Sequence, residues 1–400
     1  MRSTRSAKWM LPLAVVTALT LSACSNDSSD DEGGDGGGGL SSSGGGETYK
    51  IAFQGPLSGD NAQLGINEVN GVELAIQQAN DSGDYDFTLE LFEADDQGDP
   101  AVAPTAAASV LQDDAILGVI GPAFSGATNA VGATYGDANL SFISPSATNP
   151  TLSEQGFPTF HRIVPSDNVE GSQAADLFVS KGYTSIVVID DLSDYGKGVA
   201  DAIQTGLEGT SVTVTRLGVA DDTTDYGASA QQVASSGAQA LFYGGYDAQA
   251  GQLARALDQA GFEGDKYTGN GGKSTVFTEG AGPAGDGWYF TCGCSDATVA
   301  EEAQDFTEAY EAEYNEPPST YSPEAFDAAN ALIEAIAAAA EDGEPTRESV
   351  EEAVDALDYA GITTQVKFDE TGEVDASAQV VNLFQQEAGE IKLLGNIKEQ

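Results

Sequence analysis

Short runs of β-branched and aromatic residues recur along the chain, and each is followed by a stretch with helical spacing. The runs are YKIAF at 49, TLELFEA at 88, AILGVIG at 115, LSFIS at 140, SIVVID at 185, SVTVTRL at 211 and ALFYGG at 240. Strands that are apolar on both faces, alternating with amphipathic helices, predict parallel sheets covered by helices on either side. The helical spacing predicts helices over 71–79, 101–112, 169–180, 198–207, 228–235 and 248–260. A later helix is predicted to start with Ser322 as N-cap and Pro323 at the first helical position, with Phe326, Ala329, Ile333 and Ile336 on one face.

The alternation breaks once in mid-chain, where FPTFHRIVP at 157–165 links two βα series without a crossover helix, so a boundary between two lobes is expected there. About 350 residues of regular sequence exceed one typical core. The last predicted strands, TTQVKFD at 363 and AQVVNLF at 378, still need partners, which implies more than one passage between lobes.

The first residues change the picture from a plain α/β protein to an exported one. Arg2, Arg5 and Lys8 precede an apolar run from Met10 to Leu21 that is too short for a permanent span, the pattern of a signal peptide over 1–23. Its end, Leu21-Ser-Ala-Cys24, resembles the bacterial lipobox, which implies lipidation of Cys24. Acyl chains contribute about 0.8 kcal/mol per buried methylene, enough for a stable membrane anchor. Residues up to 47 are almost wholly Gly, Ser, Asp and Glu, a tether with a reach of about 26 Å if it behaves as a flexible coil.

With 64 acidic and 15 basic residues the net charge is -49. Such a surface repels nucleic acid and anionic head groups and suits solubility in an exposed medium. Beyond Cys24 the remaining cysteines are Cys292 and Cys294, in TCGCSD; an oxidising compartment favours a short disulfide, and a free thiol pair is the alternative.

Residues suited to catalysis are scarce. His161 is the single histidine, in an extended segment with no triad partners in view, and reads as structural. GNGGKS at 269 mimics a phosphate loop, but Tyr267 stands where that loop requires glycine. Asp95-Asp96 suits a solvated or capping role. What recurs instead is a strand end followed by small hydroxyl residues and a helix: GPAFSGAT at 121 and FISPSATNP at 142. Ligands of open α/β sheets bind beyond the carboxyl ends of strands, and a helix start favours an anion, so Ser125 and Thr148 form a seat for a small carboxylate. Tyr195 and Tyr246, just past strand ends in the second half, could line a cleft and attract an ammonium group.

Taken together, IAFQGPLSGDNAQLGINEVNGVELAIQQAN, GPAFSGATNA, FISPSATNPTLS, DYGKGVADAIQTGL and FYGGYDAQAGQLARALDQAGF resemble the substrate-binding proteins of branched-chain amino acid ABC transporters, from Tyr49 nearly to the C-terminus. The resemblance implies the type I periplasmic-binding fold: two Rossmann-like lobes with parallel sheets, joined by a multi-crossing hinge. The lobes would be 48–164 plus about 293–376, and 165–292 plus about 377–400, after a tether at 24–47. It implies a ligand carboxylate on Ser125, an ammonium on the Ser146 carbonyl and Thr148 hydroxyl, and walls of Tyr195, Tyr246 and Tyr321, with Phe124 and Leu64 beside them. Relatives carry a glutamate for the ammonium where this chain has Gly271 or its neighbours; Asp247 is the candidate substitute, its position suiting a helix N-cap equally. The function so implied is capture of an amino acid outside the cell, or of a small amide or urea-type ligand, or ligand sensing. No cofactor and no catalysis are expected, and the partners are ABC permease subunits and, through the lipid, the membrane, with the chain a monomer.

Overall fold

The computed structural model describes residues 46–375 and 379–400. The leader, Cys24 and nearly all of the tether lie outside the described residues, as do 376–378, where the second expected lobe boundary and the start of the last predicted strand fall.

The first series runs β1 (Thr48–Gly55), α1 (Ala62–Ser82), β2 (Thr88–Asp95), α2 (Ala103–Leu111), β3 (Ile116–Ile120), α3 (Ser125–Asp137), β4 (Ser141–Ser144), α4 (Thr151–Glu154) and β5 (Phe160–Arg162). The second runs α5 (Asp167–Ser180), β6 (Ser185–Asp190), α6 (Asp194–Gly206), β7 (Thr213–Gly218), α7 (Gly227–Ser235), β8 (Ala240–Gly244), α8 (Asp247–Ala260), β9 (Asp265–Thr268), α9 (Thr275–Ala281) and β10 (Trp288–Cys292). There follow α10 (Gln304–Tyr314), α11 (Ser322–Glu341), α12 (Arg347–Asp355), a hairpin of β11 (Tyr359–Ala360) and β12 (Gln365–Val366), then β13 (Asn382–Glu387) and β14 (Glu390–Asn396).

Among the described residues the first large sheet has the order β2-β1-β3-β4-β5, parallel throughout. The second repeats that order as β7-β6-β8-β9-β10 and adds antiparallel β13 and β14 at its edge. Strands β3, β4 and β8 are buried along their whole length, which is why their sequences show no polar alternation. After β10 the chain returns to the first sheet, where α11 packs on α1 and β3, and α12 packs on β3 and β4; β13 then goes back to the second sheet. Cys292 and Cys294 are joined by a disulfide.

Three local expectations are corrected. The helix at 322 takes Tyr321 as its N-cap, in the left-handed region at φ 68°, so Ser322 and Pro323 both fall inside the first turn. Of TTQVKFD only Gln365–Val366 pairs as a strand, in the small hairpin, because Asp327 captures the amides of Ile362 and Thr363 just before it. Strands β10 and β14, WYFTC and EIKLLGN, were not among the predicted strands; β14 is antiparallel at a sheet edge and only half-buried, so its apolar positions are few.

Two contacts fix parts that matter later. Helix α1 lies against the start of α11 so closely that a Cβ at Gly71 would collide with the Ser322 carbonyl oxygen. Arg162, fully buried at the end of β5, pairs with Glu373 and donates through Nη1 to the carbonyls of Ala147 (2.9 Å) and Asn149 (3.0 Å), holding the loop after β4 in place. His161, beside it, points Nε2 at Asp355 of α12 (3.2 Å) and belongs to the packing of that helix.

Removing one member of a buried ion pair leaves the other charge uncompensated, which typically costs about 3–5 kcal/mol. Glu373→Ala is therefore expected to lower stability by about that amount in equilibrium urea unfolding; an unchanged midpoint would show that the carbonyls alone satisfy Arg162.

Candidate functional site

Each large sheet has one place where strand order reverses, β1/β3 in the first and β6/β8 in the second. Connections leaving the two strands there go to opposite faces, so a crevice opens at their carboxyl ends. The two crevices face each other across one narrow cavity. The first lobe contributes Leu64 and Glu68 from α1, Ala123, Phe124 and Ser125 at the β3–α3 junction, Ser146 after β4, and Tyr321 at the start of α11. The second contributes Tyr195 from α6, Tyr246 before α8, and Asn270 and Gly271 after β9.

The lobes are closed over this space. Phe124 stacks on Tyr246 with ring centroids 4.2 Å apart and planes 16° from parallel, a pairing that contributes about 0.5–1.5 kcal/mol beyond its buried area. Around the rim Asn61 Nδ2 donates to Asp247 Oδ1 (2.7 Å), Asn149 Nδ2 to the Asp194 carbonyl (2.6 Å) and Thr320 Oγ1 to the Lys273 carbonyl (2.6 Å).

The polar features of the cavity differ between its two walls. On the first-lobe side α3 begins without a side-chain cap, and its first bond runs from Thr128 N to the Phe124 carbonyl (2.9 Å). The amides of Ser125, Gly126 and Ala127 therefore lie outside the helical ladder, at the positive end of the helix dipole. Ser125 Oγ accepts from Asn149 N (3.2 Å), and Ser146 Oγ donates to the Ala123 carbonyl (2.7 Å). On the second-lobe side Tyr195 OH accepts from Gly271 N (3.1 Å), with the Tyr195 and Tyr246 rings 5.3 Å apart. A Cβ at Gly271 would stand 2.7 Å from the Tyr195 ring, so with that ring in place the position admits no side chain.

Seven of the residues singled out in the sequence thus meet at the cavity: Leu64, Phe124, Ser125, Ser146, Tyr195, Tyr246 and Tyr321. Two do not. Asp247 occupies the first helical position of α8, behind the N-cap residue Tyr246, and its carboxylate accepts from Asn61, from Ser274 Oγ (2.5 Å) and from Ala248 N (2.8 Å). Thr148 turns away because its carbonyl accepts from Asp167 N (2.8 Å), which draws the loop onto α5; its hydroxyl is buried beside the Asp167 carboxylate.

Glu68, Ala123 and Asn270 were missed. Glu68 is wholly buried in the second turn of α1, and neither carboxylate oxygen has a hydrogen-bond partner. Asn270 donates to Glu170 Oε2 (2.8 Å), which with Thr291 Oγ1 (2.7 Å) secures that second buried acid behind the cavity. Burial drives these carboxyls upward: Glu68 and Asp167 well above the ordinary range, Glu170 and Glu324 to about 7, and Asp96 to about 6.

Comparison with known proteins agrees with this architecture. The family model described as periplasmic binding protein matches residues 48–389. A leucine-, isoleucine-, valine-, threonine- and alanine-binding protein of Pseudomonas aeruginosa is 29% identical over 332 residues, covering 82% of this chain and 87% of that one. The branched-chain amino acid transporter substrate binding protein LivJ of Streptococcus pneumoniae, solved with isoleucine, superimposes with a TM-score of 0.79 at 25% identity, covering 87% of this chain and 100% of its own. A Rhodopseudomonas palustris solute binding protein solved with benzoate shares the fold, with a TM-score of 0.76 at 19% identity, covering 88% of this chain and 96% of its own.

The raised carboxyls set a sign for the pH dependence of the ligand-free protein. A carboxyl whose folded pKa lies above its unfolded value binds a proton more tightly when folded; its contribution is full below the unfolded pKa and is lost as pH rises through the folded one. With unfolded values near 4.5 and folded values reaching about 7 for Glu170 and Glu324, stability is expected to fall between those limits as pH rises. Melting temperature at pH 5 should exceed that at pH 8, and Glu170→Gln should flatten the profile. A wild-type profile that rises with pH would contradict the assignment.

Proposed function

We propose that this chain, which belongs to the periplasmic binding protein family, captures a small aliphatic amino acid outside the cytoplasm and presents it to the permease of an ABC importer. The observation that carries the reading is the closed cavity between two sets of strand ends, with the uncapped start of α3 in one wall and the rings of Tyr195 and Tyr246 in the other. The free amides suit a carboxylate, and the rings and Leu64 suit an aliphatic side chain. The branched-chain amino acid specificities named for the Pseudomonas and Streptococcus proteins favour the same class.

The mechanism is closure. Ligand seated against the first lobe adds contacts to Tyr195, Tyr246 and the Gly271 region of the second, and this differential binding shifts the lobes from open to closed. The cavity wall offers no histidine, cysteine or lysine to activate a nucleophile, so we read the protein as a carrier without turnover. Lipidation at Cys24 would keep the body tethered at the membrane, within reach of the permease.

A small amide is the second reading, favoured because the second lobe puts only uncharged groups, Tyr195, Tyr246, Asn270 and Gly271, into the cavity wall. A thermal-shift screen of the chain against amino acids, amides and urea separates the two. A ligand at 100 times its Kd adds about 2.7 kcal/mol of stability, and leucine, isoleucine or valine is expected to raise the melting temperature most. A shift with amides alone would install the second reading, and no shift with either class at millimolar concentration would count against both. Cys24→Ala is expected to move the protein from the membrane fraction to the soluble one; retention at the membrane would remove the anchor from the account.

A further inference from the structure

We propose that Glu68 is the counter-charge for the ligand ammonium, so that the first lobe alone holds both charged ends of the amino acid while the second supplies uncharged cover. This rests on the amino-acid reading above and deepens it.

Four observations converge. Glu68 belongs to the cavity wall, is fully buried and has no donor on either carboxylate oxygen. The nearest hydroxyl, Ser146 Oγ, gives its proton to the Ala123 carbonyl instead (2.7 Å). A buried acid left in this state is costly unless something positive or hydrogen-bonding completes it.

Among the other acids near the cavity, Asp167 is also buried with neither oxygen partnered, but it lies outside the cavity wall, and two more are already occupied. Asp247 accepts from Asn61, Ser274 and Ala248, and Glu170 accepts from Asn270 and Thr291. The second lobe cannot supply a carboxylate from position 271, since any side chain there meets the Tyr195 ring and the Gly245 carbonyl. Finally, Glu68 and the free amides at the start of α3 share the first-lobe side of one small space, the arrangement a zwitterion needs.

The charged and titratable groups around Glu68 are Asp96 beyond β2, Glu324 on α11 and the Tyr321 hydroxyl at the start of α11, with Lys273 acting on Glu324. None of these is a cation in contact with Glu68, and burial together with the two acids pushes its carboxyl well above the ordinary range. An arriving ammonium makes the ionised form favourable. Glu68 then gives up its proton to solvent and the ammonium–carboxylate pair forms, so uptake of the amino acid releases a proton.

The test uses the full chain, L-leucine, and the analogue 2-hydroxy-4-methylpentanoate, in which hydroxyl replaces the ammonium. Calorimetric titration in two buffers of different ionisation enthalpy is expected to show proton release near pH 7 for leucine and none for the analogue. Glu68→Gln is expected to weaken leucine by about 10- to 100-fold, the usual range for losing a charged hydrogen-bond partner, while shifting the analogue far less. It should also abolish the proton release. Equal leucine affinity of wild type and variant would overturn the proposal and leave the amino-acid reading intact. Wild type that binds no amino acid at all would overturn both. Should the variant fail to fold, absence of proton release from the wild type on leucine binding would overturn the proposal by itself.

Discussion

Parallel strands deliver every strand-to-helix connection to the same edge of a sheet, and that constraint organises this molecule. Two sheets with the same strand order, each reversing once, place their carboxyl edges toward one another. The loops at those edges carry small hydroxyl residues in one lobe and tyrosines in the other, and a helix start with free amides opens onto the space between them. Neither lobe encloses that space alone. The stack of Phe124 on Tyr246 and the rim bonds from Asn61, Asn149 and Thr320 close it, and these are the contacts an opening motion would break.

The first lobe is fitted to hold its side of the cavity still. Arg162 ties the loop after β4 through two carbonyls, and the close approach of α1 to α11 fixes Glu68 relative to Tyr321. The second lobe presents aromatic faces and one backbone stretch, whose amide at Gly271 bonds to Tyr195. On the proposed reading, charge recognition by the first lobe and apolar closure by the second divide selectivity from motion. Broad likeness to proteins that bind branched-chain amino acids, and in fold to one that binds benzoate, fits a scaffold whose ligand is set by a few wall residues.

The parallel core was legible in the sequence because strands buried on both faces read as unbroken apolar runs, as in ILGVI and ALFYG. Strand β14 escaped because half of its positions face solvent, and the helix at 322 was misplaced by one residue because Tyr321 takes a left-handed conformation that its residue type does not advertise. Ser125, Tyr195 and Tyr246 could be named because they sit just past strand ends, whereas Leu64, Phe124, Ser146 and Tyr321 came from the family resemblance. Asp247 was chosen by its adjacency to Tyr246, yet one helical step turns a side chain by about 100°, and it points to Asn61 and Ser274 instead. Glu68 carried no signal of its own: in LGINEVNG it looks like any solvated helical glutamate, and only its place in the wall of the closed cavity reveals it as buried.

The central claim is that one ligand sits between the lobes, on the α3 start of the first and the Gly271 turn of the second. Amide hydrogen exchange of the chain, with and without saturating L-leucine, addresses it most directly. The account predicts slowed exchange in two separate places, at 125–127 and at 269–272, because ligand covers the first and closure covers the second. Protection confined to one lobe, or none in either, would contradict it.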